Sequence, residues 1–318
     1  MKILTPSSEP LGPGSSVVTI GVYDGVHLGH QATLARVIAE AHAAGRHAVV
    51  ATFDRHPTEV VRPDRTPLML CSLDERLRRL ELLGLDATMV IPFDEARAAE
   101  SAEDFVKGLV VGHLGATRVV VGEDFRFGHG RRGDVSLLEQ MGVQLGFSVE
   151  GVHLDSSQGE PISSTRIRAA LAEGNVTEAC RLLGRPHEVA GEVVHGDGRG
   201  GHELGYPTAN VQVPAGMAIP KVGIYAGWYQ DDGTPRHPAA ISVGRRPMFY
   251  ESADPLVEAY LLDFEGDLYG RAAKVSFLDH LRDEKRFDSV EALIEQMGRD
   301  VATTRDLCAR HGAAAPPH

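Results

Sequence analysis

The stretch "GVYDGVHLGH", Gly21 to His30, sets three glycines, and two histidines three apart, between an apolar run and a helical pattern. The run before it, "SVVTIGV" (16–22), has the β-branched character of a buried strand. After it, Leu34, Val37, Ile38 and Ala41 recur at helical spacing towards a stop at Gly45. The stretch is thus a strand-to-helix turn. Glycines there let backbone approach a ligand closely. His27, Gly29 and His30 fall at the helix entrance, where free peptide N–H groups and the helix dipole favour an anion. Two other readings compete. A glycine turn with incidental histidines is the commoner outcome for H-x-x-H alone. A metal-ligating pair is the other, disfavoured because no third or fourth ligand lies nearby at metal-site spacing.

Working outward, the same alternation continues. "HAVVATF" (47–53), "ATMVIPF" (87–93), "ATRVVVG" (116–122) and "FSVEGVHL" (147–154) read as strands. Between them lie helices that open at Ser72 with a capping box to Glu75, at Ser101 with Asp104, and after Asp134. Single helices between strands predict βαβ units and a mainly parallel sheet, with ligands at the carboxyl ends of its strands. "SSTRIRAALAEG" and "NVTEACRLLG" read as short helices ending at Gly174 and Gly184. From about 187 to 280 only short strands punctuated by glycine and proline appear, which predicts an antiparallel barrel or sandwich. A final helix (288–312) and a disordered tail, "AAAPPH", follow. The predicted domains are 1–185 and 186–318.

Composition narrows the partners. The 318 residues suit two domains, and the net charge of −12 argues against broad binding to nucleic acid or an anionic membrane. A phosphate ligand would therefore be held by a few local donors. Three scattered cysteines with no CxxC fit structural thiols in a reducing cytoplasm. No apolar run approaches membrane-spanning length, so a cytoplasmic protein is expected. Nothing in the sequence excludes self-association.

The motifs carry a family resemblance. "GVYDGVHLGH" resembles the HxGH signature of nucleotidylyltransferases, in the form G-x-[FY]-D-G-x-H-x-G-H found in bacterial bifunctional riboflavin kinase/FMN adenylyltransferases, or FAD synthetases. "TFDRHP" (52–57), "VGEDFRFGHGRRGD" (121–134) and "ISSTRIRAAL" (162–171) match that family's later segments in order, with Asp54-Arg55 where Glu-Pro is common. On their own residues these are modest signals. Ser163, Ser164 and Thr165 form an N-cap that also presents hydroxyls, Arg166 and Arg168 supply forked cations, and Phe125 and Phe127 suit a core equally well. The resemblance implies a Rossmann-like α/β fold in which His27, His30 and Arg166 act on phosphate. It also implies that Gly21, Tyr23, Asp24, Gly25, Gly29, Ser163, Ser164 and Thr165 bind ATP, and that Asp124, Phe125 and Arg168 bind flavin.

The second half has its own signature. "VVHGDGRGGHELGYPTANV" (193–211) resembles the riboflavin kinase segment, and a glycine-rich loop can wrap ATP phosphates with backbone donors. By resemblance Gly196, Gly198, Gly205, Tyr206, Pro207, Thr208 and Asn210 bind ATP; Thr208 and Asn210 also offer hard oxygen ligands for Mg²⁺. In "VEAYLLDFEGDLYG" (257–270), Glu258 alternates with Tyr260, Leu262 and Phe264; by itself it is either a solvated strand carboxylate or one partly buried for a purpose. The matching family glutamate is the base that takes the ribityl hydroxyl proton. "FLDHLRDEKRFDS" (277–289) places Arg282, Glu284 and Phe287 at positions near the kinase flavin site. Departures are Ser242 and Met248, where the family has Asn and Thr, and a glycine loop one residue longer. The expectation is an α/β adenylyltransferase domain joined to an antiparallel β-barrel kinase with a C-terminal helix. It would convert riboflavin to FMN and FMN to FAD with ATP and Mg²⁺; a flavin-binding paralogue with one inactive module or altered specificity is the alternative.

Overall fold

Six parallel strands build the first sheet: β1 (Lys2–Leu4), β2 (Ser16–Ile20), β3 (His47–Phe53), β4 (Ala87–Ile91), β5 (Ala116–Gly122) and β6 (Ser148–Val152). Their spatial order is β1-β4-β3-β2-β5-β6, and every pairing is parallel. The structure, a computed structural model, describes residues 1–153, 156–157, 159–195, 208–231, 234–245 and 255–312.

Strand polarity shows why helices cover both faces. Val17, Ala48, Val50 and Val120 pack with Leu34, Val37 and Ala41 of α1 (Leu28–Ala43) and Leu80 of α3 (Leu73–Leu82). Their strand neighbours Val18, Ile20, Val49, Ala51, Val119 and Val121 point the other way. They meet Phe105 of α5 (Ala102–Phe105), the following π-helical stretch Val106–His113, and Leu138 and Met141 of α6 (Val135–Leu145). Side chains alternate along a strand, so apolar runs without polar breaks require cover on both sides. Two one-turn helices, α2 (Pro57–Val61) and α4 (Glu95–Ala99), pack against each other.

Two features differ from the sequence reading. β1 is three residues long and has no readable period, yet it pairs with β4 from Lys2↔Ala87 onward at the sheet edge. The helix expected over "SAEDFVKGLVVGHL" is α-helical only to Phe105 and then widens into the π-helical turns. The chain leaves β2 through α1 to β3 on one side, while β5 lies on the other. The reversal point is therefore between β2 and β5, and the Gly21–His27 turn springs from the carboxyl end of β2 there.

The chain divides into two compact units, Met1–Ser164 and Thr165–His318. This division lies earlier than the sequence boundary at 185. Beyond a two-residue strand pair, β7 (Ser156–Ser157) with β8 (Glu160–Pro161), α7 (Ser164–Glu173) and α8 (Val176–Leu183) group with the second unit. The Lys221 amide donates to the Leu171 carbonyl, and α8 packs on β9 (His187–Val194) and β14 (Ala272–Arg282). With β10 (Ala209–Gln212), β11 (Gly223–Asp231), β12 (His237–Arg245) and β13 (Pro255–Leu261) these close an antiparallel barrel ordered β10-β13-β12-β11-β14-β9. The barrel, not the sandwich, is formed.

The last helix, α9 (Val290–Gly312), docks on a bulged part of this barrel. Cys308 is buried with Trp228 and Leu278, and its thiol donates to the Gly227 carbonyl at 3.2 Å. A Cβ at Gly227 would stand 1.9 Å from the Ser276 carbonyl oxygen and 2.6 Å from Ile241 Cδ1. Gly227→Ala is expected to destabilise the barrel by about 3 kcal/mol, because backbone and core must both shift. Thermal denaturation of the variant checks this, and a melting temperature equal to that of the parent chain would contradict the close-approach role.

Candidate functional sites

The turn after β2 is backbone held in rare conformations. Tyr23 and Val26 have φ of 53° and 42°, and Gly25 between them has φ of 80°. Side chains turned inward hold it there. The Tyr23 and Thr19 hydroxyls are 2.5 Å apart, and burial pushes the Tyr23 phenol far above its usual range, so it stays protonated. The Asp24 carboxylate accepts the Leu70 amide at 2.9 and 3.2 Å, and the Gly25 amide reaches Cys71 Sγ at 3.3 Å. The side chains of Tyr23 and Asp24, both buried, thus serve the turn. What these two positions present to a ligand is peptide backbone.

His27, 2% exposed, is the N-cap of α1: its Nδ1 accepts the His30 amide at 3.3 Å. A neutral His27 with Nδ1 occupied as acceptor carries its proton on Nε2, which makes that atom a donor. The two imidazoles stack at 3.5 Å with an 18° tilt, and Tyr23 leans on His30 at 4.9 Å. His30 is half-buried, yet its Nδ1 is sealed from solvent and has no hydrogen-bond partner among the described residues. Burial, then His27, then Arg76 hold His30 well below the ordinary histidine range, so it is neutral near pH 7. A Cβ at Gly29 would sit 3.3 Å from both His27 Nδ1 and the Ile162 carbonyl, which explains the glycine inside the motif.

The other first-unit motifs converge on this turn. Ser164 Oγ donates to the Asp24 carbonyl at 3.0 Å, which ties "ISST" to the histidine turn; Ser163 is half-buried beside it. Asp124 is exposed in the turn that follows β5, the strand next to β2. Phe125 is partly buried and stacks on Phe127 at 5.3 Å; Phe127 is the core member, packed with Phe105. Asp54, where the family has Glu, accepts the Phe93 and Arg55 amides at 2.9 and 2.8 Å and so has a local structural role. Thr165, Arg166 and Arg168 belong to α7 in the second unit, where Arg166 bonds Glu178 at 2.8 Å.

Sequence reading missed one residue of this site. Arg76 lies in "DERLRRL", which looks like a solvated helix face. Arg78 and Arg79 do pair with Glu75 there, at 2.8 and 2.5 Å. Arg76 instead turns inward, 1% exposed, and its Nη1 donates to the Val22 carbonyl at 2.6 Å and to Thr52 Oγ1 at 3.0 Å. Thr52 donates to the same carbonyl at 3.0 Å. Only the depth of α3 against the sheet distinguishes Arg76 from its neighbours, and no local pattern encodes that.

In the second unit, strand register assembles the expected residues. Asn210 on β10 faces Glu258 on β13, and Glu258 faces Ser242 on β12. Val257, Ala259 and Leu261 are buried in the barrel, so Glu258 and Tyr260 stand on its outer side, in the same row as Asn210. Asn210 is 5% exposed, and its Oδ1 is buried with no hydrogen-bond partner among the described residues. An orphaned amide oxygen beside a half-buried carboxylate is a donor set for a hard cation, with half-buried Thr208 two residues before. Arg282 is bound through Nε and Nη2 to Asp300 of α9, at 3.0 and 2.8 Å. Phe287 lies 5.7 Å from its guanidinium, and Glu284 lies over Gly244. Gly196, Gly198, Gly205, Tyr206 and Pro207, together with Met248 and the tail, lie outside the described residues.

Comparison with known proteins follows this division. The FAD synthetase family matches residues 11–166, and the riboflavin kinase family matches residues 183–308. The chain is 39% identical to the bifunctional riboflavin kinase/FMN adenylyltransferase of Escherichia coli K12 over 92% of each chain. It is 34% identical to that of Listeria monocytogenes over 93% of each, and 33% identical to that of Bacillus subtilis over 90% of each. A crystal structure from Streptococcus pneumoniae, described as a macrolide-efflux protein, superposes with a TM-score of 0.86 at 31% identity, over 96% of this chain and 99% of that one. No helix among the described residues of this chain is long and apolar enough to cross a membrane. Both family matches and relatives aligned nearly end to end lead to one conclusion: the chain belongs to the bifunctional riboflavin kinase/FMN adenylyltransferases.

Proposed function

We propose that the stacked histidine turn is the adenylyltransferase centre of this chain and that the Asn210–Glu258 row is part of its kinase centre. As a member of its family the chain phosphorylates riboflavin to FMN with ATP and adenylylates FMN to FAD with release of pyrophosphate. The observation that carries the first assignment is the stacked His27–His30 pair at the entrance of α1, with His30 held neutral, at the reversal point of the sheet.

For adenylyl transfer, a phosphate oxygen of FMN attacks the α-phosphorus of ATP. The new O–P bond replaces the bond to pyrophosphate, which departs. The attacking oxygen is already anionic, so no general base is needed. Alignment and charge stabilisation are, and the α1 amides and the imidazole N–H groups supply them. Gly21, Gly25 and Gly29 keep the backbone close to the nucleotide, while Ser163, Ser164, Thr165 and Arg166 take its phosphates. Asp124, Phe125 and Arg168 face FMN.

In the kinase reaction Glu258 accepts the proton of the ribityl hydroxyl as that oxygen attacks the γ-phosphorus of ATP. The fit of Asn210 Oδ1 and Thr208 Oγ1 to a hard cation supports Mg²⁺ as cofactor, which would neutralise phosphate charge there. By resemblance Gly196, Gly198, Gly205, Tyr206 and Pro207 would bind ATP, and Arg282, Glu284 and Phe287 would bind the flavin. We place the chain in the cytoplasm, where ATP is available and its three free cysteines stay reduced.

Purified chain given riboflavin, ATP and Mg²⁺ is expected to yield FMN and then FAD by chromatography; tight flavin binding without turnover would favour the inactive-paralogue alternative. His30→Ala should lower FAD formation by about a hundredfold and spare FMN formation. Glu258→Ala should do the reverse when FMN is supplied, and loss of both activities in either variant would contradict two separate centres. The pH dependence has a definite sign. His30 titrates below 6.5 in the fold, so FAD formation should stay level from pH 8 down through 6.5 and fall only at more acid pH. Unfolding then takes up a proton below pH 6.5. The stability that neutral His30 contributes is therefore complete above 6.5 and lost as pH falls towards its folded value. A rate profile with an acid limb centred at or above 6.5 would contradict this.

A further inference from the structure

Arg76 is a buried guanidinium without an ion-pair partner among the described residues. Arginine stays charged at any pH a protein tolerates, and a buried charge is costly unless paired. Yet its hydrogen bonds go to a carbonyl and a hydroxyl, its Nε has no partner, and no ion pair to it exists among the described residues. Cys71, Asp24 and Asp54 act on it through their fields alone, and the Asp24 carboxylate is already committed to the Leu70 amide. The turn it holds is the one assigned above to the nucleotide phosphates.

The carbonyl it holds matters equally. Val22 is the first residue beyond the carboxyl end of β2 other than Gly21, and its oxygen would repel a triphosphate if it faced the ligand. Arg76 and Thr52 both donate to that oxygen, and Arg76 donates to Thr52 as well, so the three groups form a closed triangle. Tyr23, Gly25 and Val26 can then keep left-handed conformations that no isolated tetrapeptide would hold.

We propose that Arg76 is a positioning residue for adenylyl transfer. It holds the Val22 carbonyl turned into the protein, so that the turn meets the nucleotide with N–H groups, and its buried charge favours the bound triphosphate. This rests on the assignment of the histidine turn to adenylyl transfer. A second consequence agrees with it: Arg76, with His27, opposes a proton on His30, whose remaining ring neighbour is the protonated Tyr23.

The test uses the full chain with Arg76→Gln, Arg76→Lys and Thr52→Val, following FAD formation from FMN and FMN formation from riboflavin separately. Arg76→Gln is expected to lower kcat for FAD formation at least about tenfold and to raise KM for ATP, with FMN formation unchanged. Arg76→Lys restores the charge but not the fork, so it should recover KM for ATP more fully than kcat. Thr52→Val, close in shape, should lower kcat about threefold without changing the melting temperature. FAD formation within twofold of the parent in both Arg76→Gln and Thr52→Val would overturn the proposal. So would a loss confined to stability, in which Arg76→Gln unfolds while Thr52→Val keeps parental kcat. If the parent chain itself makes FMN but no FAD, it is the assignment of the turn that fails, which these variants then do not bear on.

Discussion

The first unit depends on a single conformational constraint: a four-residue turn in which three residues are left-handed, two of them carrying side chains. Left-handed backbone costs of order 1–3 kcal/mol for a non-glycine residue, and more for a β-branched one such as Val26. Such a turn persists only where its surroundings over-determine it. Asp24 is anchored to Leu70, Gly25 to Cys71, Val22 to Arg76 and Thr52, and Asp24 again to Ser164. Val26 is buried in the core beneath α1. These contacts come from three distant stretches of chain, near 52, 70–76 and 164. The motif is therefore the visible part of a larger device.

On the proposed assignment of the turn, strain placed there has a chemical use. A regular turn out of β2 would present alternating carbonyls and amides. This one buries its carbonyl and directs its backbone towards the entrance of α1, where His27 caps the helix and stacks on His30. Burial keeps His30 neutral, which preserves one donor and one acceptor on the ring instead of two donors. Such preorganised dipoles need not reorient as charge develops on the transferring phosphorus.

The fold was legible where periodicity is strong. The apolar runs at 16–22, 47–53 and 116–122 gave a parallel sheet because each is apolar on both faces, and the glycine- and proline-punctuated second half gave a barrel. β1 was invisible because three residues carry no period, and the π-helical stretch was hidden because its sequence is good helix. Among the candidate site residues, His27, His30, Asn210 and Glu258 each belong to a local pattern with a chemical reason. Arg76 does not. Burial of one arginine out of three in "RLRR" is decided by how α3 lies on the sheet, a tertiary fact that no window of sequence contains. α8 reads as a continuation of the alternating half, yet it packs on β9 and β14, a tertiary fact of the same kind.

The contrast between the two centres follows from their nucleophiles. A phosphate monoester is anionic at neutral pH and needs no proton removed. In keeping with that, the carboxylate nearest the histidine turn, Asp24, is tied to a backbone amide and offers no basic oxygen to a substrate. A primary hydroxyl must lose its proton as it attacks, so a carboxylate has to stand where substrate can reach it. Glu258 is half-exposed on the outer row of the barrel, beside an amide oxygen with no hydrogen-bond partner among the described residues. Two carboxylates close in pKa when free are thus turned to opposite uses by backbone alone. One holds a strained turn, and the other stands beside Asn210 by strand register, where the proposed kinase chemistry needs it.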